Sequence, residues 1–251
     1  FLPDETEEPV ILTAESDGTR FSGFEKVDAK DDVKFGRSAS RLSARKVNAG
    51  WRFDFSHDGS LEKAPAAAGP LSALRYWHFQ GSVTAPEDVW LPEAAGRLLV
   101  GADVCSVPGI CRPGAPQGLE PLMQAAQDGR LGLKMQNVEL DFPRLEVRAM
   151  GAMGVRKDVK TFADFDVGVQ IHPLDDELMK TRPDVVAVHD FVKDLVDSKA
   201  LACRMKDECR ARVTVEPDER GFGIIRSNGV DVTEKVMKFI FAEPAGTGEA
   251  G

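Results

Sequence analysis

Alternation between apolar and polar residues is the pattern that most restricts how this chain can fold. Every second residue is apolar across positions 138–142, Pro143 interrupts the pattern, and the same spacing resumes across positions 145–149. Positions 51–55 and 165–171 show the same period of two. Because neighbouring side chains of a β-strand point to opposite faces, this period predicts strands. Helical spacing is scarce, so we predict a mainly β protein built as a β-sandwich or a curved antiparallel sheet.

One longer helix is predicted over residues 183–197. Pro183 suits the first helical position, because the N–H that proline lacks would have no helical partner there. The apolar stripe of this segment consists of Val185, Val188, Val192 and Leu195. A shorter amphipathic helix is predicted over residues 119–129. The acidic run at 175–177 offers carboxylate oxygens to a divalent cation, but an acidic turn that caps the next helix is the preferred interpretation.

Composition divides the chain into five parts. The predicted parts are a flexible acidic arm at 1–9, an N-terminal β-rich half at 10–104, a disulfide-clipped loop at 105–118, a C-terminal β-rich half with the helix at 119–241, and a flexible tail at 242–251. The halves are compatible with one domain, because 251 residues fit one large domain or two small ones. Within the first half, enrichment in Gly, Pro and Ala predicts an exposed, mobile loop at 57–70.

The four cysteines form two pairs, each with five intervening residues: Cys105 with Cys111, and Cys203 with Cys209. Two local disulfides are the preferred interpretation, because structural zinc sites usually space paired cysteines two to four residues apart. A four-thiolate zinc site and free buried thiols are the alternatives. Because each bridge would close only a short loop, it should stabilise the folded protein by an amount at the low end of roughly 2–4 kcal/mol. Because disulfides persist in oxidising compartments, the pairs predict a periplasmic or extracellular protein.

The charge balance disfavours some classes of partner. The chain carries 41 acidic and 32 basic residues, which give a net charge of -9 and a pI of about 5.1. This balance disfavours nucleic acids and anionic membrane surfaces as partners.

The sequence contains no apolar run near the length of a membrane-spanning helix, so no transmembrane segment is expected. It begins at Phe1 without a signal-peptide pattern, from which we expect a processed, exported protein.

The histidines are the first place to search for catalysis. The chain contains His57, His78, His172 and His189, and no nucleophile elbow, phosphate loop or zincin motif accompanies them. We interpret His57 as part of a turn, and His78 as a structural histidine within an aromatic strand. The sequence therefore predicts a protein without enzymatic activity, without catalytic residues and without a cofactor. Structural calcium is the one exception that we keep open.

The tryptophans offer two interpretations. Trp51, Trp77 and Trp90 lie in the first hundred residues, together with several phenylalanines. Exposed aromatic rings bind sugars by stacking, whereas buried rings fill the interior of a β protein. Core packing is the preferred interpretation, and glycan binding by these three residues is the speculative one.

Residues 10–83 resemble the opening of a jelly-roll carbohydrate-binding module. The segments KFGRSASRL at 34–42, GWRFDFS at 50–56 and LRYWHFQG at 74–81 carry the resemblance. It implies a glycan ligand, a structural calcium ion, and Trp51, Trp77 and Trp90 as the ligand-binding residues.

Residues 128–232 resemble the periplasmic segments of type II secretion N-type and AsmA-like proteins. The segments GRLGLKMQNVELDFPRLEVRAMG at 129–151, FADFDVGVQIHP at 162–173 and LMKTRPDVVAVHDFVKDLV at 178–196 carry this resemblance. It implies an assembly or lipid-handling role in the cell envelope, with no catalytic residues to transfer. The chain departs from the pattern in its lack of a membrane anchor and in its cysteine pairs.

Three functional hypotheses follow from these observations. The leading one is a non-enzymatic exported binding or assembly protein that recognises a protein partner as an accessory subunit of a larger envelope complex. The second is a carbohydrate-binding module. The third is a lipid-carrying envelope protein, which requires a continuous apolar groove between the sheet and the helix.

The disulfide interpretation predicts that the denatured protein has no titratable thiol unless it is first reduced. After reduction, the same colorimetric assay should count four thiols. Four thiols in denatured, unreduced protein would contradict both the disulfides and the argument for an oxidising compartment.

Overall fold

A computed structural model describes most of the chain. The described residues are 10–21, 33–47, 50–64, 66–86, 128, 130–154, 163–205, 207–217 and 223–241. The predicted arm, tail and 119–129 helix lie outside these ranges apart from Asp128, as do Trp90, Cys105 and Cys111. The described part is mainly β, as predicted, and its strands form a single antiparallel sheet.

Within the described ranges the sheet has eleven strands. They are β1 (Val10–Phe21), β2 (Val33–Val47), β3 (Gly50–Lys63), β4 (Tyr76–Ala85), β5 (Gly132–Phe142), β6 (Leu145–Gly154), β7 (Ala163–Ile171), β8 (Ala202–Cys203), β9 (Glu208–Pro217), β10 (Gly223–Ser227) and β11 (Val230–Asp231). From β1 to β7 each strand pairs with the next, β7 then pairs with β9, and β10 and β11 follow. The short β8 pairs with β9 beside β10. The pairing of β4 with β5 joins the two halves of the chain in one open sheet.

Three α-helices and a 3₁₀ helix complete the described elements. The helices are α1 (Asp176–Thr181), α2 (Pro183–Asp197) and α3 (Thr233–Ile240), and the 3₁₀ helix spans Ala66–Ala73. The bounds of α2 confirm the helix predicted over 183–197. Asp175 caps α1, because its carboxylate accepts the Leu178 N–H at 2.8 Å. None of the helices in the described ranges is long and apolar enough to cross a membrane.

The main core lies between α2 and one face of the sheet. The buried helix residues are Val185, Val188 and Val192. They belong to one cluster with Phe142, Leu145, Val169, Cys209 and Ala211 from the strands. Register explains this grouping, because Leu145 of β6 pairs with Ile171 of β7, and Val169 of β7 pairs with Cys209 of β9. The apolar half of each alternating strand therefore faces α2.

The prediction of an exposed, mobile loop at 57–70 is wrong. β3 continues to Lys63, and residues 66–73 form the 3₁₀ helix, which places the fully buried Ala73 in the main core. Pairing across the sheet extends β3, since Gly59 lies opposite Trp77 of β4. A Cβ atom on Gly59 would lie 2.2 Å from the Trp77 ring, so the glycine makes room for the indole. His57 is therefore a strand residue and not part of a turn.

The core assignment predicts a large loss of stability in Leu145→Ala. Leu145 is 1 % exposed within the cluster beneath α2, so truncation should leave a cavity and lower the free energy of unfolding by about 2–5 kcal/mol. Urea denaturation followed by circular dichroism measures this change. Met179→Ala on the exposed side of α1 is the control, with an expected change below about 0.5 kcal/mol. Equal effects of the two substitutions would contradict the assigned core.

Candidate functional site

The sheet face opposite α2 is polar across β5, β6, β7 and β9. On β6 the apolar residues Leu145 and Val147 contact the core, while Glu146, Arg148 and Met150 alternate with them on the other face. Residues that pair across an antiparallel sheet share a face, so each of these polar residues begins a row across the strands. One such row consists of Glu139, Arg148, Gly168 and Arg210.

This polar face forms an open groove with a volume of about 1190 Å³. Its floor includes Arg148, Met150, Gly168 and Arg210 from β6, β7 and β9. The turn before β9 contributes Arg204 and Met205 to the lining. Both Met150 and Met205 are exposed, so flexible apolar side chains lie beside the charged ones. The groove thus combines charge with adaptable apolar surface.

Gly168 leaves a gap in the floor between two arginines. A Cβ atom placed on this glycine would lie 4.0 Å from the Arg148 carbonyl oxygen, its nearest non-neighbouring atom. Several other glycines of the sheet are crowded: a Cβ atom on Gly151, for example, would lie 2.2 Å from the Asp164 carbonyl oxygen. Space above Gly168 is therefore available to a bound group and is not required by the packing of the sheet.

The arginines of the groove differ in how fully they are paired. Arg212 donates from Nε and Nη2 to the two carboxylate oxygens of Asp164, at 2.9 and 2.5 Å. These hydrogen bonds hold the pKa of Asp164 below its ordinary value. Arg212 is therefore engaged in a bidentate pair within the protein.

Arg148 and Arg210 have weaker or fewer internal partners. Arg148 lies 3.9 Å from Glu139 and 3.5 Å from Glu146, both longer than the 2.7–2.9 Å of a charge-assisted hydrogen bond. Arg210 donates through Nη2 to Glu208 at 2.9 Å. Their side chains are 67 % and 69 % exposed. Both guanidinium groups are thus accessible to a ligand from solvent.

The disulfide between Cys203 and Cys209 is present, which confirms this predicted pair. It links β8 to β9, and Cys209 is fully buried in the main core. The enclosed turn carries Arg204 and Met205, so the bridge fixes the base of one side of the groove. The other predicted pair, Cys105 with Cys111, lies outside the described residues.

A second polar network lies on the same face, on β3 and β4. Asp58 Oδ1 accepts hydrogen bonds from Tyr76 Oη at 2.8 Å and from His78 Nδ1 at 2.6 Å. Burial alone would raise the pKa of Asp58, but the hydrogen bonds from His78 and Tyr76 outweigh it and lower that pKa. Burial and the Asp58 carboxylate together raise the pKa of Tyr76 to about 12. The three groups satisfy one another, in line with the structural role predicted for His78.

Two other histidines also have structural partners. His57 Nδ1 lies 2.7 Å from Ser40 Oγ. His189 Nε2 donates to the Pro143 carbonyl oxygen at 3.1 Å, which ties α2 to the β5–β6 turn. In the part of the chain that the structure describes, no three His, Cys, Asp or Glu residues are arranged to hold a metal ion.

Two of the predicted ligand-binding tryptophans, Trp51 and Trp77, do not line the groove, and Trp90 lies outside the described residues. Trp51 is 7 % exposed and belongs to a small core cluster with Phe53 and Ala44. Trp77 is half-buried, covers Gly59, and contacts Phe35 edge-on with ring centroids 6.1 Å apart. Both positions alternate with the polar residues of β3 and β4, so these two rings lie on the apolar side of the sheet.

The sequence interpretation did not identify the arginine row. Alternation within β6 and β9 could have placed Arg148 and Arg210 on the solvent side of their own strands. Their position on either side of Gly168 depends on the pairing of β7 with both strands, which no local pattern specifies.

Comparison with known proteins gives no assignment. No family model, curated protein or solved structure matches this chain.

The Asp58 network predicts an alkaline pKa for Tyr76. Tyr76 is the only tyrosine of the chain, so tyrosinate absorbance in the ultraviolet reports on it alone. The folded protein should titrate near pH 12, against an ordinary pKa of 10.0. Because folding favours the protonated phenol, this contribution to stability is complete below the unfolded pKa and is lost as the pH rises through the folded one.

A rapid pH jump allows the tyrosinate absorbance of Tyr76 to be measured before the protein unfolds at alkaline pH. Asp58→Asn should move the midpoint back towards 10, because it removes the accepting carboxylate and its charge. Asp54→Asn, on the same face of β3, is the control and should leave the midpoint unchanged. A midpoint near 10 in the folded wild-type protein would refute the network.

Proposed function

We propose that this chain is a non-enzymatic, exported binding protein that acts as an accessory subunit of a larger envelope assembly and receives a protein partner in the groove. The observation that carries the proposal is the contrast between the two sheet faces. One face is buried against α2, and the other presents accessible arginines and exposed methionines around the space above Gly168.

The composition of the groove supports a protein partner. Arginine and methionine are enriched in protein interfaces, where the guanidinium group forms directional pairs and the thioether adapts to irregular surfaces. The ionisable groups of the groove are mostly exposed arginines and carboxylates in contact with one another. This arrangement favours recognition through ion pairs over acid–base catalysis.

One observation and one prediction from the sequence support export and an envelope role. The Cys203–Cys209 bridge is typical of periplasmic or extracellular proteins, because reducing compartments keep cysteines as thiols. The resemblance of residues 128–232 to periplasmic assembly proteins favours the same location. Both arguments concern the half of the chain that forms the groove.

The glycan and lipid hypotheses receive less support from the described residues. Trp51 and Trp77 contribute to packing on the apolar face, so they do not form an exposed platform for sugar stacking. The space between α2 and the sheet is filled by a cluster that includes Val185, Leu145 and Cys209, each at most 1 % exposed. A lipid chain has no continuous apolar groove at this position.

Site-specific photocrosslinking in the cells of origin tests the proposal. A photoreactive residue at Met150 should give a discrete crosslinked protein, because this side chain lines the groove and is 58 % exposed. The matched control is Met179, which is 49 % exposed on α1 and lies outside the groove. Mass spectrometry identifies the product. Identical products from both positions, or none from Met150, would refute a partner in the groove.

A groove-filling variant provides the second arm. Gly168→Leu should suppress the Met150 crosslink, because the new side chain occupies the gap in the floor. Gly154→Leu is the control, since a Cβ atom there also has 4.0 Å of space but the residue does not line the groove. Parallel glycan-array and lipid-binding screens should be blank, and saturable binding in either would favour the corresponding alternative.

A further inference from the structure

We propose that the groove recognises an acidic segment of its protein partner and holds a carboxylate between Arg148 and Arg210, above Gly168. This inference rests on the proposed function and adds the chemistry of the ligand. It assigns a binding role to two exposed arginines of the groove.

The spacing of the two arginines suits a small anion. Arg148 and Arg210 lie on either side of β7, and Gly168 between them has no side chain. Neighbouring strands lie about 4.8 Å apart, so the two Cα atoms are separated by roughly 10 Å. Arginine side chains are long enough to converge from that distance on a carboxylate above the glycine. Any side chain at position 168 would occupy the same space.

The number of N–H donors on Arg148 and Arg210 also favours the binding of an additional hydrogen-bond acceptor in the groove. A guanidinium group has five N–H donors in a planar fork that matches the geometry of a carboxylate. The contacts of Arg148 with Glu139 and Glu146 are long, and Arg210 uses Nη2 for Glu208. Arg212 differs, because its bidentate pair with Asp164 already provides two short hydrogen bonds. A ligand would therefore engage Arg148 and Arg210 without breaking the Arg212 pair.

The acidic residues of the groove restrict where the ligand charge can lie. Glu146 and Glu208 form part of a separate row with Gln170, one step along the strands from the arginine row. Asp166 lies on the opposite side, in register with Arg212. A carboxylate placed in either of these rows would meet a like charge. Within the arginine row, Arg148 and Arg210 flank Gly168 directly, and Glu139 lies one strand further away, beyond Arg148. Arg204 in the turn before β9 adds another cation to the lining.

A peptide-binding experiment with the full chain tests the proposal. The probe is a fluorescein-labelled decapeptide of alternating glutamate and glycine, and the matched peptide has glutamine in place of glutamate. Fluorescence anisotropy should show saturable binding of the glutamate peptide alone, and this binding should weaken as salt rises. Equal binding of both peptides, or no binding of the glutamate peptide at low salt, would overturn the proposal.

Charge-removal variants locate the site. Arg148→Gln with Arg210→Gln should weaken peptide binding by about tenfold or more, because two charge-assisted contacts are lost. The control is Arg37→Gln with Arg45→Gln, two exposed arginines outside the groove with ion-pair distances of 3.8 and 3.7 Å. Arg148→Lys with Arg210→Lys retains the charge without the planar fork and should give intermediate affinity. An equal loss in the control pair would overturn the assignment.

Two further readouts separate this inference from the proposed function. Thermal unfolding of each variant checks that the fold is retained, and the lysine variants replace the glutamine variants if those unfold. A Met150 crosslink that Gly168→Leu abolishes, but that survives removal of both arginines, would leave the protein partner standing and overturn the carboxylate contact. Binding of dextran sulfate in place of the glutamate peptide would also overturn it, in favour of a sulfated polymer.

Discussion

The packing of α2 against β5, β6, β7 and β9 determines the arrangement of the rest of the described C-terminal half. Val185, Val188 and Val192 bury one face of the sheet, and alternation along β6, β7 and β9 then directs the intervening side chains to the opposite face. A shift of one residue in register would reverse both faces and bury charged residues such as Arg148. The groove therefore exists because its reverse side is a core. The charged side chains of the groove are accessible because the residues next to them in each strand point to the other face and pack against α2.

The Cys203–Cys209 bridge belongs to a small framework that fixes the side of the groove. The Ala200 carbonyl oxygen accepts hydrogen bonds from Ser227 Oγ at 2.6 Å and from Asn228 Nδ2 at 3.1 Å, so the segment after α2 is tied to the end of β10. Asn228 Oδ1 in turn accepts the Arg212 N–H at 2.9 Å. A disulfide, a buried serine and an asparagine together hold the turn that carries Arg204 and Met205. These contacts tie the segments on both sides of the turn to the sheet, while Met205 of the turn itself is exposed beside the open groove.

Local sequence patterns predict some elements of the structure correctly and others incorrectly, and the difference has a physical cause. The bounds of α2 could be predicted because Pro183 and the valine stripe are local signals, and the Cys203–Cys209 bridge because it spans one turn. Residues 57–70 were misjudged because their structure depends on distant partners, namely the Trp77 ring over Gly59 and the core around Ala73. The groove was missed for the same reason. Alternation assigns a residue to a face, but only the pairing of strands assigns it to a row.

The acidic net charge of the chain and an acidic ligand are compatible because the two act over different distances. The net charge of -9 is a property of the whole molecule, whereas the screening length at physiological salt is about 8 Å. A carboxylate above Gly168 would be within contact distance of Arg148 and Arg210, so its attraction to these cations is screened less than its repulsion from any acidic residue beyond the screening length. Long-range repulsion would slow the encounter without weakening the short-range pair. Recognition of this kind discriminates by the position of charge along the partner, since the rows on either side of the arginines carry carboxylates of their own.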